Sequence, residues 1–356
     1  MHDAVELSVL PTHAPGLFQD AVERAACALE RGEVVVLPTE TVYGLAANAL
    51  DPAAVASIYR IKGRPAHNPI IVHVSSLEMA RRCVAGWTET ATRLAAEFWP
   101  GPLTLVLAKS GIIPAIITAG GDTVAVRFPS HPFMRAVIER CGFPIAAPSA
   151  NLSNEISPTT AEHCRRSLEG RVRLIVDGGP CQVGIESTVV DLVSPVPRVL
   201  RPGMIAAEAI LQVVGGESGG RGSTDLALGG ERPDHTGGHG GAPLRSPGLL
   251  TRHYSPKARL MVWSWADEKE LRRRMEDLDP GLKPVHVIAH DRIPLGLDPA
   301  QVAVVPSDPE AFARALYAEW HRCDEAGAGS IIVEAVPAGG SWDGIRDRLR
   351  RASSGV

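Results

Sequence analysis

The segment that most constrains the fold is residues 33–74, where two apolar runs flank one helical segment. Residues 34–37 are β-branched or leucine and end before a proline, a pattern that predicts a buried strand. Asp51 followed by Pro52 is a favoured N-cap and first helical residue, so we expect a helix to begin there. Residues 70–74 form the second apolar run. Strand, helix and strand in this order indicate an α/β domain.

Charged and polar side chains follow these elements along the chain. Lys62 and Arg64 alternate in a Gly- and Pro-containing loop after the helix, where the backbone can approach a ligand and both charges can converge on it. This arrangement suits a polyphosphate, and a solvated basic loop explains it equally well. Thr41, Asn68 and His73 lie near the strand ends. Taken alone, His73 in an apolar strand is best explained as a core histidine.

The chain divides into parts with different patterns. Up to residue 214, strands and helices alternate without strict βαβ regularity, which predicts a twisted, open, mixed sheet with flanking helices. Between residues 215 and 247, eleven of 33 residues are glycine, which is typical of a flexible linker. The alternation then resumes and predicts a smaller Rossmann-like α/β domain with a parallel sheet. We therefore expect a domain over 1–214, a linker over 215–256 and a domain over 257–356.

Net charge and cysteine spacing limit the classes of function. A formal charge of −4 and a pI near 6.3 argue against extended, nonspecific nucleic-acid binding. The six cysteines fall in no metal-ligand spacing, so we interpret them as reduced core residues of a cytoplasmic protein. No run reaches transmembrane length, and Asp3 and Glu6 stand where a signal peptide carries positive charge. We expect no membrane association.

Seven motifs follow one another along the first part of the chain: PTETVYGLAANA, KGRPAHNPIIVHV, FWPGPLTLVL, TVAVRFPSHP, IAAPSANLS, DGG…GIESTVVDL and LRPGMI. Singly, each is a strand end or a turn. Together they resemble the threonylcarbamoyl-adenylate synthase family, whose catalytic domain is termed YrdC-like. The SPG…RHYSP segment at 246–256 and the α/β domain after it resemble the longer, two-domain form of that family.

The resemblance implies an ATP-dependent nucleotidyltransferase. Members of the family make L-threonylcarbamoyl-AMP from L-threonine, ATP and bicarbonate or CO₂, with release of pyrophosphate. A downstream transferase complex then passes the threonylcarbamoyl group to an adenosine next to the anticodon of tRNA. Such chemistry needs positioning and charge neutralisation more than covalent help from the protein. We expect Mg²⁺ to be held mainly through the nucleotide phosphates, and we predict no metal-ligating residue because the sequence offers no carboxylate cage.

The resemblance also implies roles for individual residues. The K-x-R and S-x-N motifs of the family are expected to act on the triphosphate and its metal. In this chain their residues are Lys62, Arg64, Ser149 and Asn151. Contacts with ATP are expected from Arg64, Asn68, Thr123, Ser149, Ser157, Arg201 and Tyr254. Contacts with threonine are expected from Thr41, His73, Arg127, Ala147 and Ser187. Arg127 suits a bidentate grip on the amino-acid carboxylate, and the Thr41 and Ser187 hydroxyls can bond the substrate hydroxyl.

Several alternatives stay open at this point. A carbamoyltransferase that shares this domain makes a carbamoyl adenylate from carbamoyl phosphate, although such chains carry C-x-x-C pairs that are absent here. An RNA-binding module is disfavoured by the acidic charge and by the lack of interleaved aromatic and basic residues.

We expect the linker to fold over the nucleotide as a lid anchored by His253 and Tyr254. The proton acceptor is open, with His73 as a candidate, and so is the role of the C-terminal domain.

Overall fold

The computed structural model describes residues 7–215 and 254–353, which contain two β-sheets. The larger sheet is built from β1 (Ser8–Pro11), β2 (Val35–Leu37), β3 (Gly44–Asn48), β4 (Val72–His73), β5 (Leu103–Ala108), β6 (Thr123–Arg127), β7 (Ile145–Ala146), β8 (Leu174–Asp177), β9 (Thr188–Asp191) and β10 (Arg198–Arg201). Their order is β1-β8-β2-β3-β7-β4-β6-β5-β9-β10. The sheet contains parallel pairs such as β4 with β6 and antiparallel pairs such as β2 with β3. The expected mixed sheet is confirmed.

The helices of this part pack on the sheet. They are α1 (Pro15–Glu30), α2 (Pro52–Lys62), α3 (Leu77–Cys83), α4 (Glu89–Phe98), α5 (Pro132–Cys141), α6 (Ala161–Leu168) and α7 (Ala207–Gly215). Asp51 caps α2 as expected, because its side chain accepts hydrogen bonds from the backbone N–H groups of Ala53 and Ala54. Gly63 ends the same helix in the left-handed conformation. The loop that follows therefore leaves the helix at a fixed angle, with Arg64 directly after the cap.

Strand β3 is absent from the sequence prediction, which leaves residues 44–48 unassigned. Glycine and alanine dominate this stretch and have low β propensity, so nothing local indicates a strand. The strand forms because it pairs antiparallel with β2 on one side and with β7 on the other. A Cβ on Gly44 would lie 3.1 Å from Cβ of Ala147, so small residues are required where the backbones approach. The turn before Gly44 is thereby held against the loop after β7.

The second sheet is parallel, as the sequence predicts. It consists of β11 (Arg259–Trp263), β12 (Val285–Ala289), β13 (Val302–Val304) and β14 (Ser330–Glu334), in the order β11-β14-β12-β13. Its helices are α8 (Glu268–Glu276), α9 (Pro309–Glu325) and α10 (Asp343–Ser353). Residues 216–253 of the expected linker, His253 included, lie outside the described residues, so the linker, its role as a lid and the domain boundaries stay predictions.

Helices α9 and α10 lie directly on loops of the larger domain. A Cβ on Gly184 would stand 2.5 Å from the carbonyl oxygen of Ala313 in α9. A Cβ on Gly344 in α10 would stand 2.6 Å from the carbonyl oxygen of Gly203. Since Cβ atoms do not occur this close to backbone atoms, only glycine fits at either position. The two sheets therefore belong to domains whose backbones touch.

A pair of histidines forms another part of this interface. His163 of α6 stacks on His321 of α9 with ring centroids 3.8 Å apart. Burial lowers the pKa of His163 to about 3 and that of His321 to about 4, so both rings are neutral at neutral pH and stack without charge repulsion. Arg166 and Glu325 add an ion pair nearby.

In the described ranges, no helix is long and apolar enough to cross a bilayer.

Candidate active site

One cleft collects most of the residues that the sequence singled out. Of those residues, its lining includes Thr41, Arg64, His73, Arg127, Ala147, Ser149, Ser187, Arg201 and Tyr254. Five others stand outside the lining: Lys62, Asn68, Thr123, Asn151 and Ser157. The lining also contains Glu186 and residues of the turn between β2 and β3. Positions spread from residue 39 to residue 254 thus converge on one cleft.

The sheet explains why these residues meet. His73 and Arg127 end the parallel strands β4 and β6 and stand opposite each other in register. The carboxyl ends of parallel strands are the usual place for ligands in α/β sheets. The β2–β3 turn brings Thr41 to the same edge, where its hydroxyl accepts a hydrogen bond from Arg127 Nη1 at 2.9 Å. This edge of the sheet lines the cleft.

Arg127 is oriented by a carboxylate that the sequence prediction missed. Arg127 Nη2 lies 2.7 Å from Oε1 of Glu40, and both side chains are buried. The same oxygen accepts a hydrogen bond from the backbone N–H of Ser130. Although burial acts to raise it, the pKa of Glu40 is lowered, chiefly by the Arg127 charge. Its signal in the sequence is slight: a single acidic residue in an otherwise hydroxyl-bearing turn.

His73 is neutral at physiological pH. Burial, together with the neighbouring Arg127 charge, lowers the pKa of His73 to about 3. A base with so low a pKa takes up protons poorly near neutral pH, since general bases work best when their pKa lies near the working pH. The neutral ring can still exchange hydrogen bonds with a polar ligand. His73 is therefore better suited to binding than to proton abstraction.

The hydroxyl groups of Ser187 and Thr41 both line the cleft and are held by neighbouring protein groups. Ser187 Oγ lies 2.7 Å from Thr104 Oγ1 and accepts a hydrogen bond from Arg201 Nη2 at 3.1 Å. Arg201 also donates to the Ser187 carbonyl oxygen. Thr41 Oγ1 lies 3.0 Å from the hydroxyl of Thr39. Fixed hydroxyls of this kind favour a ligand with a hydroxyl of its own over one that lacks it.

Lys62 forms hydrogen bonds mainly with backbone carbonyl groups. Its buried Nζ donates to the carbonyl oxygens of Ser149 and Asn151, both at 2.5 Å, with Asn151 Oδ1 at 3.4 Å. Burial and the nearby Arg64 charge lower the pKa of Lys62 well below its usual range. All three neighbours are oxygen acceptors, and only the ammonium form has three protons to donate to them. Lys62 therefore fixes the loop that presents Ser149 to the cleft.

Asn68 has a comparable role toward Arg64. Arg64 Nη2 donates to Asn68 Oδ1 at 2.8 Å and to the Pro69 carbonyl oxygen at 2.6 Å, while Nε donates to the Asn68 carbonyl oxygen. These bonds hold the guanidinium at the cleft wall. Burial lowers the pKa of Arg64 to about 10, so the group keeps its charge at neutral pH.

Thr123 and Ser157 are predicted ATP contacts that lie outside the cleft lining. Thr123 begins β6, four residues before Arg127, so it lies roughly 13 Å from that residue along the strand. Ser157 is buried and donates to Glu186 Oε1 at 2.5 Å. The sequence prediction names Ser157 but not Glu186, although Glu186 is the residue of this pair that lines the cleft.

The charges of the cleft favour an anionic ligand. Arg64, Arg127 and Arg201 line it, and Glu186 is the acidic residue in its lining. Both carboxylate oxygens of Glu186 already accept hydrogen bonds from protein side chains. In the described ranges, no group of three or more His, Cys, Asp or Glu side chains could hold a metal ion. Polyanions and carboxylates match this lining, whereas a metal bound by protein carboxylates does not.

Comparison with known proteins agrees with this geometry. A family model described as "Telomere recombination" matches residues 27–203, and one described as "Threonylcarbamoyl-AMP synthase, C-terminal domain" matches residues 205–354. The threonylcarbamoyl-AMP synthase of Pyrococcus abyssi is 40% identical over 92% of this chain and 93% of its own. That of Bacillus subtilis is 38% identical over 94% and 93%. The crystal structure of P. abyssi Sua5 complexed with L-threonine superposes with a TM-score of 0.83 at 37% identity, covering 98% of this chain and 97% of the other.

Proposed function

The chain belongs to the threonylcarbamoyl-AMP synthase family, and from that premise we propose that its cleft holds L-threonine and ATP side by side. The resemblance read from the sequence motifs is confirmed. The enzyme makes L-threonylcarbamoyl-AMP from L-threonine, bicarbonate or CO₂, and ATP, for the modification of tRNA next to the anticodon. The observation that supports the placement is one cleft lined by three arginines, of which Arg127 is held by Glu40 and Thr41 at the ends of strands β4 and β6, while Arg64 and Arg201 stand elsewhere in the lining.

Threonine is assigned to the Arg127 end. Arg127 is fixed by Glu40 and Thr41 and presents its guanidinium to the cleft, which supports a charge-assisted grip on the amino-acid carboxylate. The hydroxyls of Thr41 and Ser187 support recognition of the threonine hydroxyl. Ala147 offers only its backbone polar groups beside them.

ATP is assigned to the part of the cleft lined by Arg64, Ser149 and Arg201. Two fixed guanidinium groups support neutralisation of the triphosphate charge. Asn68 and Lys62 act behind this wall, on Arg64 and on the Ser149 loop respectively. We assign Asn151 and Ser157 to the support of the same wall, and Thr123 remains a predicted ATP contact without a place in the cleft lining.

The chemistry follows from this placement. The threonine amine adds to CO₂ and loses a proton, which gives a carbamate. A carbamate oxygen then attacks the α-phosphorus of ATP, and the bond from that phosphorus to the pyrophosphate oxygen breaks. The arginines neutralise charge on the triphosphate, and the cleft holds both reactants in line, so catalysis comes from positioning and electrostatics. Since His73 is a weak base, we assign proton uptake to solvent or bicarbonate.

Mg²⁺ fits the site only as an ion carried by the nucleotide. The Glu186 carboxylate has no free oxygen for it, whereas the Ser149 hydroxyl lines the cleft and could join phosphate oxygens and water around the ion. When bound, Mg²⁺ neutralises phosphate charge.

The proposed function is tested by pyrophosphate release from the full-length chain with ATP, Mg²⁺ and bicarbonate, with and without L-threonine. Serine and allothreonine serve as controls. Release that requires both threonine and bicarbonate is expected. Release driven by carbamoyl phosphate without threonine would instead identify a carbamoyltransferase. Binding of RNA with steep salt dependence and no release of pyrophosphate would identify an RNA-binding module.

Ser187→Ala is expected to reduce the discrimination against L-2-aminobutyrate, which lacks the threonine hydroxyl. We expect kcat/KM for L-threonine to fall about tenfold and that for L-2-aminobutyrate to change little, because one buried hydrogen bond contributes roughly 0.5–1.5 kcal/mol. The measurement is kcat/KM for both amino acids. Thr104→Val is the matched control, since it removes the buried partner of Ser187 but leaves the Ser187 hydroxyl in the cleft. Equal losses for both amino acids in Ser187→Ala would contradict the assignment.

We further propose that the enzyme works in the cytoplasm, hands its product to a separate threonylcarbamoyl transferase complex and forms no stable complex with nucleic acid. All six cysteines are free, and burial raises the pKa of Cys83 to about 11 and that of Cys323 to about 12. Such thiols are not reactive near neutral pH. Free cysteines and an acidic net charge support these assignments.

A further inference from the structure

The carboxylate that lines the cleft is held largely by the C-terminal domain. Arg348 of α10 is completely buried, and its Nε donates to Glu186 Oε2 at 2.8 Å. Tyr317 of α9 donates its hydroxyl to the same oxygen at 3.1 Å. Ser157 of the larger domain bonds the other oxygen. Two of the three side chains bonded to this carboxylate therefore come from helices beyond residue 300.

The same guanidinium fixes two backbone segments of the larger domain. Arg348 Nη1 donates to the carbonyl oxygen of Pro202 at 2.7 Å, and Nη2 donates to that of Glu186 at 3.2 Å. The neighbours of these residues, Arg201 and Ser187, both line the cleft and are bonded to each other. One side chain thus spans the two segments that carry a threonine-site hydroxyl and a phosphate-site arginine.

Arg348 also contacts a residue that lines the cleft. Its Cζ lies 5.2 Å from the ring centroid of Tyr254, which lines the cleft and sits 5.9 Å from the ring of Tyr317. Gly344, one helical turn before Arg348, is packed against the backbone of Gly203. This close packing leaves α10 no room to shift without moving the segment that follows Arg201.

The charges around Glu186 show how Arg348 affects the pKa of its carboxyl. Burial raises the pKa of the carboxyl, while Arg348 first and Arg201 second lower it, and the net result is a lowered pKa. Tyr317 faces it from α9, and Tyr254 and Asp347 stand nearby, Asp347 Oδ2 lying 3.1 Å from Arg348 Nη1. Loss of the Arg348 charge would remove the largest lowering contribution and raise the pKa of the Glu186 carboxyl, while Arg201 and Ser157 would still act to lower it.

We propose that Arg348 is a positioning residue for the synthase reaction, supplied by the C-terminal domain to hold the Glu186-Ser187 and Arg201-Pro202 segments in the geometry that binds substrates. The proposal rests on the proposed assignment of threonine and ATP to this cleft. It gives the C-terminal domain a part in catalysis that needs neither a partner protein nor a second copy of the chain.

The test compares full-length Arg348→Met and Arg348→Lys with the wild type. Thermal unfolding, calorimetric binding of L-threonine and of ATP, and kcat and KM for pyrophosphate release are measured across mildly acidic to mildly alkaline pH. Arg346→Met is the matched control, because Arg346 lies on the same helix, is half exposed and pairs with Asp343 at 3.6 Å.

For Arg348→Met we expect a loss of about 30-fold in kcat/KM for threonine, with weaker binding of both substrates. Part of the loss should remain at every pH, because the bonds to the Pro202 and Glu186 carbonyl oxygens are missing. The rest should diminish as pH rises, because Glu186 regains its charge, and Arg348→Lys should recover part of the loss. Arg346→Met should behave as the wild type. A folded Arg348→Met protein with wild-type KM and kcat would overturn the proposal. So would a pH-independent loss that lysine does not relieve, since that is the signature of general structural support.

Two further measurements keep the outcome decisive. If Arg348→Met does not fold, Glu186→Gln combined with Arg348→Met removes both buried charges together, which proteins tolerate better than the loss of one. This double variant is expected to fold, bind threonine weakly and show no recovery with pH; wild-type binding would overturn the proposal.

If the wild type releases no threonine-dependent pyrophosphate, the proposed function fails. Unchanged ATP binding by Arg348→Met separately decides against the positioning role.

Discussion

Arg127→Leu is expected to lower kcat/KM for L-threonine by about 10³-fold, while ATP binding changes little. Arg127 is the cation assigned to the threonine carboxylate, and truncating one partner of a buried, hydrogen-bonded charge pair costs roughly 2–5 kcal/mol. Arg127 is held in place by Glu40 and Thr41, so little of its binding energy is spent on ordering it. The measurement is steady-state kinetics together with calorimetric binding of each substrate.

The same substitution is expected to destabilise the fold, because it leaves the Glu40 carboxylate buried without its cation. Breaking a buried pair in this way costs about 3–5 kcal/mol in the free energy of unfolding. Glu40→Gln combined with Arg127→Leu should recover much of that stability but none of the activity. Arg127→Lys keeps the charge but lacks the planar fork, and should be intermediate in threonine binding. Loss of ATP binding with retained threonine binding would show that the two ends of the cleft have been assigned the wrong way round.

Lys62→Met is expected to lower kcat/KM for ATP by about 10²- to 10³-fold, since each hydrogen bond from a charged group contributes roughly 1.5–3 kcal/mol. The substitution removes the ammonium that bonds the carbonyl oxygens of Ser149 and Asn151 and frees the loop that presents Ser149. The free energy of unfolding should fall as well, because those carbonyl groups stay buried without a donor. Kinetics and denaturant unfolding are the measurements.

Lys109→Met is the control for this prediction, since Lys109 lies outside the cleft and its Nζ makes a single bond of 3.4 Å to the Ile113 carbonyl oxygen. A Lys62→Met protein of wild-type stability with the same loss in kcat/KM would mean that Lys62 acts on the triphosphate itself, as its motif suggests. A protein with wild-type kinetics would remove Lys62 from the machinery altogether.

The parts of the fold that could be predicted from the sequence are those with local causes. The Asp51-Pro52 start and the Gly63 end of α2 depend on neighbouring residues only, and the structure has both. Strand β3 has no such local cause, because its Gly- and Ala-rich residues become a strand only through pairing with β2 and β7. Topology, not propensity, decides that element.

The same distinction applies to the cleft. Arg64, Arg127 and Ser187 could be named because the resemblance implies a substrate contact for each. Glu40 and Glu186 also stand in motifs of that family but could not be named, because their importance comes from partners far along the chain: Arg127 is 87 residues from Glu40, and Arg348 is 162 residues from Glu186. A carboxylate with no visible partner in the sequence is indistinguishable from a solvated surface residue.

The position of Arg348 late in the chain has a consequence for biosynthesis. Domains generally fold during translation in the order in which they leave the ribosome. The larger sheet, with Arg64, Arg127 and Arg201 in place, is synthesised before α10, so a chain whose synthesis stops anywhere before residue 348 carries the substrate-facing arginines without the side chain that spans Glu186 and Pro202. With the positioning role that we propose for Arg348, such a fragment is expected to bind nucleotide weakly and to turn over little ATP. The order of the chain would then delay adenylate synthesis until the second domain has been made.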